Sequence, residues 1–230
     1  MRLDKFLCSV GTRSEVKKLL KKGIVTVNGS VVKNGDFSVN PETDDVNCNG
    51  EKIIYKEFVY ILMNKPSGYV SAAYDKKQPV VVDLLNDEHK RFKPYPVGRL
   101  DIDTEGLLIL TNDGALAHDL ISPKKNVTKT YFAVTDLPMQ EEDKKAFSDG
   151  MDLGDFTAKP AKLEILDDGA YITVSEGKFH QVKRMCAKCG KNVTFLKRVA
   201  IGKMKLPDFL KSGETIEITK AELLNLIFGT

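Results

Sequence analysis

Two different periodicities divide the chain. Near the start, Leu3, Phe6, Leu7 and Val10 recur at helical spacing, and Gly11 ends the run. A second helix follows, capped by Thr12 or Ser14. Its apolar stripe is Val16, Leu19 and Leu20, which turns Lys17, Lys18, Lys21 and Lys22 outward; Gly23 stops it. IVTVNGSVVK then alternates about Asn28-Gly29, a strong hairpin signal. Polar, turn-rich NPETDDVNCNGEKI closes this small unit, with Val46 and Ile53 as its buried points.

A new pattern begins at Phe58. FVYILMNKP and GLLILTND read as buried strands, the first broken by Pro66 and the second headed by Gly106. KTYFAVT alternates as a strand, and AKLEILDDGAYITVSEG reads as two strands around a turn. Between them, GALAHDLISP predicts a short helix closed by Pro123, and PMQEEDKKAFSDG a capped acidic one. DEHKRFKPYPVG reads as a loop, QVKRMCAKCG has helical spacing, and Thr215 to Ile227 predicts a strand and a terminal helix. Strands outnumber helices without alternating regularly with them. The expected fold is therefore α+β, with a mixed sheet and flanking helices, in two domains over residues 1–57 and 58–230.

Charge sharpens this division. The net +3 conceals eight Lys/Arg against two Asp/Glu over residues 1–35, and nine against one from Glu176 to Lys205. Between Asp136 and Ser175 the balance reverses, four against ten. Two basic patches of this size suit a phosphate backbone, although solvated faces would give the same count. The opening MRLDKFLCSVG lacks the apolar core of a signal peptide, no run approaches a membrane span, and the four cysteines are scattered. The expectation is a cytoplasmic protein without membrane association.

Candidate chemistry concentrates in GRLDIDTEGLLILTNDG, residues 98–114, where Asp101, Asp103 and Glu105 alternate ahead of an apolar run. A calcium loop starting at Asp101 would place a bidentate Glu at position 112, which is Asn, and Pro94, Pro96 and Gly98 would break its entering helix. The Cys186/Cys189 pair lacks further ligands at zinc spacing, so no metal is expected. What remains is a carboxylate at a loop–strand junction. Arg99 lies two residues before Asp101, on the same face of an extended segment, and would favour an ionised form. At this level Asp101 or Asp103 is either catalytic or part of a structural ion pair.

The motif as a whole resembles that of the pseudouridine synthases, in the branch that modifies ribosomal RNA and carries an N-terminal S4 domain. MRLDKFL…TRSEVKKLLKKGIVTVNGSVV resembles the S4 RNA-binding domain. NKPSGYVSA, KTYFAV, EGKFHQVKRM and LKRVAIG follow in the family's order. The wording of EGKFHQVKRM is most similar to the small-subunit, RsuA-type members. The resemblance implies that Asp101 is the essential aspartate, that Tyr131 stacks on the uracil, and that Arg184 pairs with Asp101. It further implies that Arg99 enters the RNA stack as the uridine leaves, and that Leu196 and Ile201 line the uracil pocket. Arg2, Lys5, Arg13, Lys17, Lys18, Lys21, Lys22 and Lys183 would contact RNA. Substrate and product are isomers, so no cofactor is implied. The implied target is uridine 516 of 16S rRNA, and the implied partner is ribosomal RNA in a partly assembled small subunit, bound by a monomer. A 23S rRNA target and a non-catalytic assembly factor stand as alternatives. His180 and Phe179 read either as RNA contacts or as structural residues.

Overall fold

The computed structural model describes residues 1–122 and 125–229 and groups the chain into two units, Met1–Val59 with Leu85–Pro94, and Tyr60–Leu84 with Tyr95–Thr230. In the first unit, α1 (Leu3–Phe6) runs into a 3-10 turn over Leu7–Ser9. α2 (Arg13–Lys22) starts at Thr12. The Thr12 hydroxyl accepts from the Glu15 N–H, and the Glu15 carboxylate accepts from the Thr12 N–H. The same unit contains α3 (Asp87–Arg91), capped by Asn86, within a stretch whose prolines and glycine read as loop. Asn86 accepts from the His89 N–H at 2.8 Å, and Arg91 donates to the Ser9 carbonyl at 3.0 Å. That cap and that tether explain a turn of helix too short to show a period.

A four-stranded sheet completes this unit, in the order β2 (Ser30–Val31), β1 (Val25–Val27), β3 (Val46–Cys48), β4 (Glu51–Lys52). Asn28 and Gly29 both take positive φ, +50° and +80°, as the two-residue hairpin turn requires. Leu3, Phe6, Val16, Leu20, Val25 and Val46 meet in the core. Ile53 is only half buried at its edge.

The second unit is built on one large sheet. Its strands are β5 (Tyr60–Lys65), β6 (Tyr95–Pro96), β7 (Glu105–Thr111), β8 (Lys129–Thr135), β11 (Lys162–Leu166), β12 (Gly169–Val174), β13 (Val193–Ile201), β14 (Met204–Lys205) and β15 (Thr215–Ile218). Two short strands, β9 (Met151–Asp152) and β10 (Thr157–Ala158), pair separately. The large sheet runs β11-β12-β8-β13-β7-β5-β15, with β6 and β14 as side pairings. Every pairing is antiparallel except that of β7 with β13. The fold is thus α+β, with a small antiparallel domain and a large, mostly antiparallel sheet.

Helices cover this sheet where its strands are apolar. α4 (Gly114–Ile121) and α7 (Lys220–Phe228) pack Leu116, Leu120, Leu223 and Ile227 against Leu62, Leu107 and Ile109. The expected closing residue of α4, Pro123, lies outside the described residues. α5 (Glu141–Asp149) and α6 (Gln181–Lys188) bring Phe147, Met185 and Cys186 onto Ile172 and Leu196. Among the described residues, no helix is long and apolar enough to cross a membrane.

Candidate active site

The carboxylate motif ends in β7, and its first half is a tight turn in which the Thr104 N–H donates to the Asp101 carbonyl at 3.1 Å. The segment 64–71 holds both sides of that turn. Lys65 is completely buried, and its Nζ donates to the carbonyls of Thr104 (2.8 Å), Pro66 (3.0 Å) and Ile102 (3.2 Å). The Gly68 N–H adds a second bond to Ile102 O at 2.7 Å. On the other side of Asp101, the Ser71 hydroxyl donates to Leu100 O at 2.8 Å and accepts from Leu100 N–H at 3.0 Å. NKPSGYVSA therefore works as a clamp on the backbone around Asp101. Nothing in its local pattern signals this, because its partners on the Asp101 turn lie roughly thirty residues or more away in sequence.

Burial pushes the Lys65 ammonium down to about 8, although Asp103, Glu105 and Asp101 oppose the shift. An unfolded chain keeps the ordinary value, 10.5. Between these values the unfolded state still holds a proton that the folded state has released. The Lys65-linked stability therefore rises as pH climbs from about 8 to 10.5. Urea unfolding of the wild type and of Lys65→Met at a series of pH values measures it. A difference in unfolding free energy that stays flat across this window would refute the linkage.

Asp101 is 27% exposed at its side chain and is held from α6. Lys183 Nζ lies 3.1 Å from Asp101 Oδ2 and 2.6 Å from Asp103 Oδ1. His180 Nε2 lies 3.5 Å from Asp101 Oδ1. Burial works against the Lys183 charge, and the Asp103 and Asp101 carboxylates outweigh it, so its pKa is raised. The Lys183 hydrogen bond in turn holds the Asp103 carboxyl below its usual range. His180 itself takes φ +50° at the N-terminus of α6. The loop before it is tied by Gln181, whose Nε2 donates to Glu176 Oε1 at 2.9 Å and whose Oε1 accepts from Lys178 N–H at 3.1 Å.

The expected partner of Asp101, Arg184, is elsewhere. Its guanidinium forms a two-pronged pair with Asp155, donates to Leu153 O at 2.7 Å, and lies over the Phe156 ring. Successive helical residues point about 100° apart. With Val182, Met185 and Cys186 facing the core, Lys183 is turned to the carboxylates and Arg184 to the 153–156 loop. Lys183 is accordingly a site residue, where the sequence placed it on the RNA surface.

A small cavity of about 60 Å³ opens beside Asp101, lined also by Arg99, Tyr131, His180, Lys183 and Leu196. Ile201 is not in its wall; it lines a neighbouring cavity that shares Arg99 and Tyr131. Phe179, left undecided by the sequence, is 71% exposed and stacks on the His180 ring with centroids 3.8 Å apart. Cys186 is fully buried in the core, and burial, more than its neighbours Cys189 and Asp143, pushes its thiol up to about 12.

In the first unit, Arg2, Arg13, Lys17 and Lys21 line one groove, and Arg2, Lys5 and Arg13 line another. Arg13, Lys17 and Lys21 share a helical stripe; Lys18 and Lys22 are exposed beside it. Arg2 is already paired with Asp4 and Asp36, both at 2.6 Å.

Residues 59–188 match the model of the RNA pseudouridylate synthase family, and residues 1–46 match the S4 domain. The chain is 46% identical to an uncharacterized RNA pseudouridine synthase, YtzG, of Bacillus subtilis (strain 168), covering 97% of each. It is 42% identical to ribosomal small subunit pseudouridine synthase A of Pasteurella multocida (strain Pm70), covering 97% of this chain and 98% of the relative. A solved pseudouridylate synthase, 36% identical, superposes with a TM-score of 0.69 over 99% of this chain and all of the other.

Proposed function

The chain belongs to the RNA pseudouridylate synthases, in the RsuA-like branch with an N-terminal S4 domain, and from that premise we propose that it isomerises one uridine of 16S ribosomal RNA, at the position of uridine 516. The small-subunit names of several relatives at 37–42% identity support this target. The observation that carries the catalytic assignment is Asp101 on a clamped turn, beside a pocket shared with Tyr131 and Leu196 and flanked by two cationic or protonatable groups.

In this reading the target uridine leaves the RNA stack at a cost of a few kcal/mol, and Arg99 fills the space it vacates. Lys183 pairs with one Asp101 carboxylate oxygen, and His180 can hydrogen-bond the other. Asp101 acts on the nucleoside so that the C1′–N1 bond breaks. The freed uracil turns against Tyr131 and Leu196, and C5 bonds to C1′. C5 loses its proton and N1 gains one, so the reaction balances without a co-reactant. An apolar and aromatic wall suits a detached base that must turn before it rejoins. Asp103, exposed and engaged by Lys183, orients that lysine. The basic stripe of α2 supplies sequence-independent phosphate contacts.

The test uses rRNA carrying tritium at uracil C5. The expected result is tritium released into water with no free uracil. Free uracil would instead identify a glycosidase, and release from 23S but not 16S rRNA would move the target to the large subunit.

A further inference from the structure

Behind Tyr131 lies a second cavity of about 380 Å³, within the range of ligand pockets and much larger than the one at Asp101. Its described wall carries five cationic side chains, Arg99, Lys129, Lys159, Lys178 and Arg198. Among the described residues, its only carboxylate is Glu176. That carboxylate is engaged locally: Oε1 accepts from Lys159 N–H at 2.8 Å and from Gln181 Nε2 at 2.9 Å. None of the five cations forms an ion pair among the described residues.

Two of the cations are unusual. Arg198 is only 4% exposed; its Nε donates to Leu107 O at 2.8 Å, and its Nη2 has no hydrogen-bond partner. Lys129 is half buried, and burial together with the nearby Arg198 lowers its pKa. Lys129 and Tyr131 stand two residues apart on β8, hence on one face, and Tyr131 is the register partner of Arg198 on β13. Like charges gathered at a partly dry cavity destabilise the fold unless an anion joins them. Guanidinium and ammonium groups together are the usual recognition set for phosphate oxygens.

We infer that this cavity is a phosphate subsite, in which Lys129 and the Arg198-backed wall hold a phosphodiester next to the flipped uridine. The assignment rests on the RNA-modifying reading above. The two cavities share Arg99, Tyr131, Glu176, Gly177 and Lys178, so a nucleotide whose base lies at Asp101 brings its own backbone to the second opening. Lys129 is thus a positioning residue. It fixes where the ribose lies relative to the Asp101 carboxylate and takes no part in the bond changes.

The experiment compares full-length wild type, Lys129→Met and Lys129→Arg on a 16S rRNA fragment. The fragment is made either with all phosphates or with one uncharged methylphosphonate on the 5′ or the 3′ side of the target. In the wild type one of the two replacements weakens binding about tenfold. Lys129→Met binds that RNA and the all-phosphate RNA alike, and its slope of log affinity against log salt falls by about one. On all-phosphate RNA, Lys129→Met lowers kcat/KM about tenfold, through both a raised KM and a lowered kcat, and Lys129→Arg restores both. The wild-type arm depends on no variant that could misfold. The subsite is wrong if neither replacement affects the wild type, or if Lys129→Met still loses affinity on the same linkage. Inorganic phosphate that binds and stabilises the wild type, with no linkage effect, would mean a free-anion site and would equally overturn it. Tritium release from all-phosphate RNA reports separately on isomerisation, so a failure of that reading leaves the linkage result intact.

Discussion

Asp101→Asn lowers kcat for isomerisation by about 10⁴-fold or more while RNA affinity stays within about twofold. The substitution is nearly isosteric, and the turn does not depend on the carboxylate. The Asp101 carbonyl still accepts from Thr104, and Lys65, Gly68 and Ser71 still hold the neighbouring carbonyls. Lys183 keeps its 2.6 Å contact to Asp103, so no cation is stranded. What disappears is the negative charge that Lys183 and His180 flank. Single-turnover tritium release paired with filter binding measures both quantities. A parallel loss of binding would show that Asp101 serves to hold RNA and would remove it from the chemistry.

Gly106→Ala unfolds or loosens the catalytic unit, with a cost of about 3 kcal/mol or more. Gly106 closes the motif at φ +102°, a conformation costly for any residue with a side chain. A Cβ there would lie 2.2 Å from the Arg198 carbonyl oxygen and 2.8 Å from its nitrogen, both backbone atoms that cannot swing away. Relief requires β13 to move off β7. The parallel pairing of the two strands is short, Lys197 with Glu105 and Arg198 with Gly106. Moving β13 also moves Leu196 away from Asp101. Urea unfolding of the variant, read beside its tritium release, tests this; a loss below about 1 kcal/mol would mean that the sheet absorbs the extra carbon.

Two cations on one helix show where sequence reasoning stopped. The family motif supplied a basic residue for Asp101, and Lys183 and Arg184 are adjacent and both basic. Only the rotational phase of α6, set by Val182, Met185 and Cys186 in the core, decides between them. The choice has chemical content. A lysine offers Asp101 a compact point charge shared with Asp103, whereas the arginine's planar fork is spent on Asp155 and Leu153 O. Lys65 carries the same lesson. It ends an apolar strand and is buried because three carbonyls from two loops converge on it.

The sequence by itself determined what depends on neighbours within a few residues. It specified a cap at Thr12 or Ser14 for the second helix, the Asn28-Gly29 turn, the buried strands Tyr60–Lys65 and Glu105–Thr111, and the motif that places Asp101 just ahead of one of them. Caps, turns and short periods are energetically local, so they can be read along the chain. The tertiary structure alone decided the contacts that close over long separations. These are the clamp of Lys65 and Ser71 on the Asp101 turn, the selection of Lys183, the parallel docking of β13 on β7, and the meeting of Lys129 with Arg198 at one cavity. Each depends on sheet order and helix phase, which arise from packing the whole core rather than from any one segment.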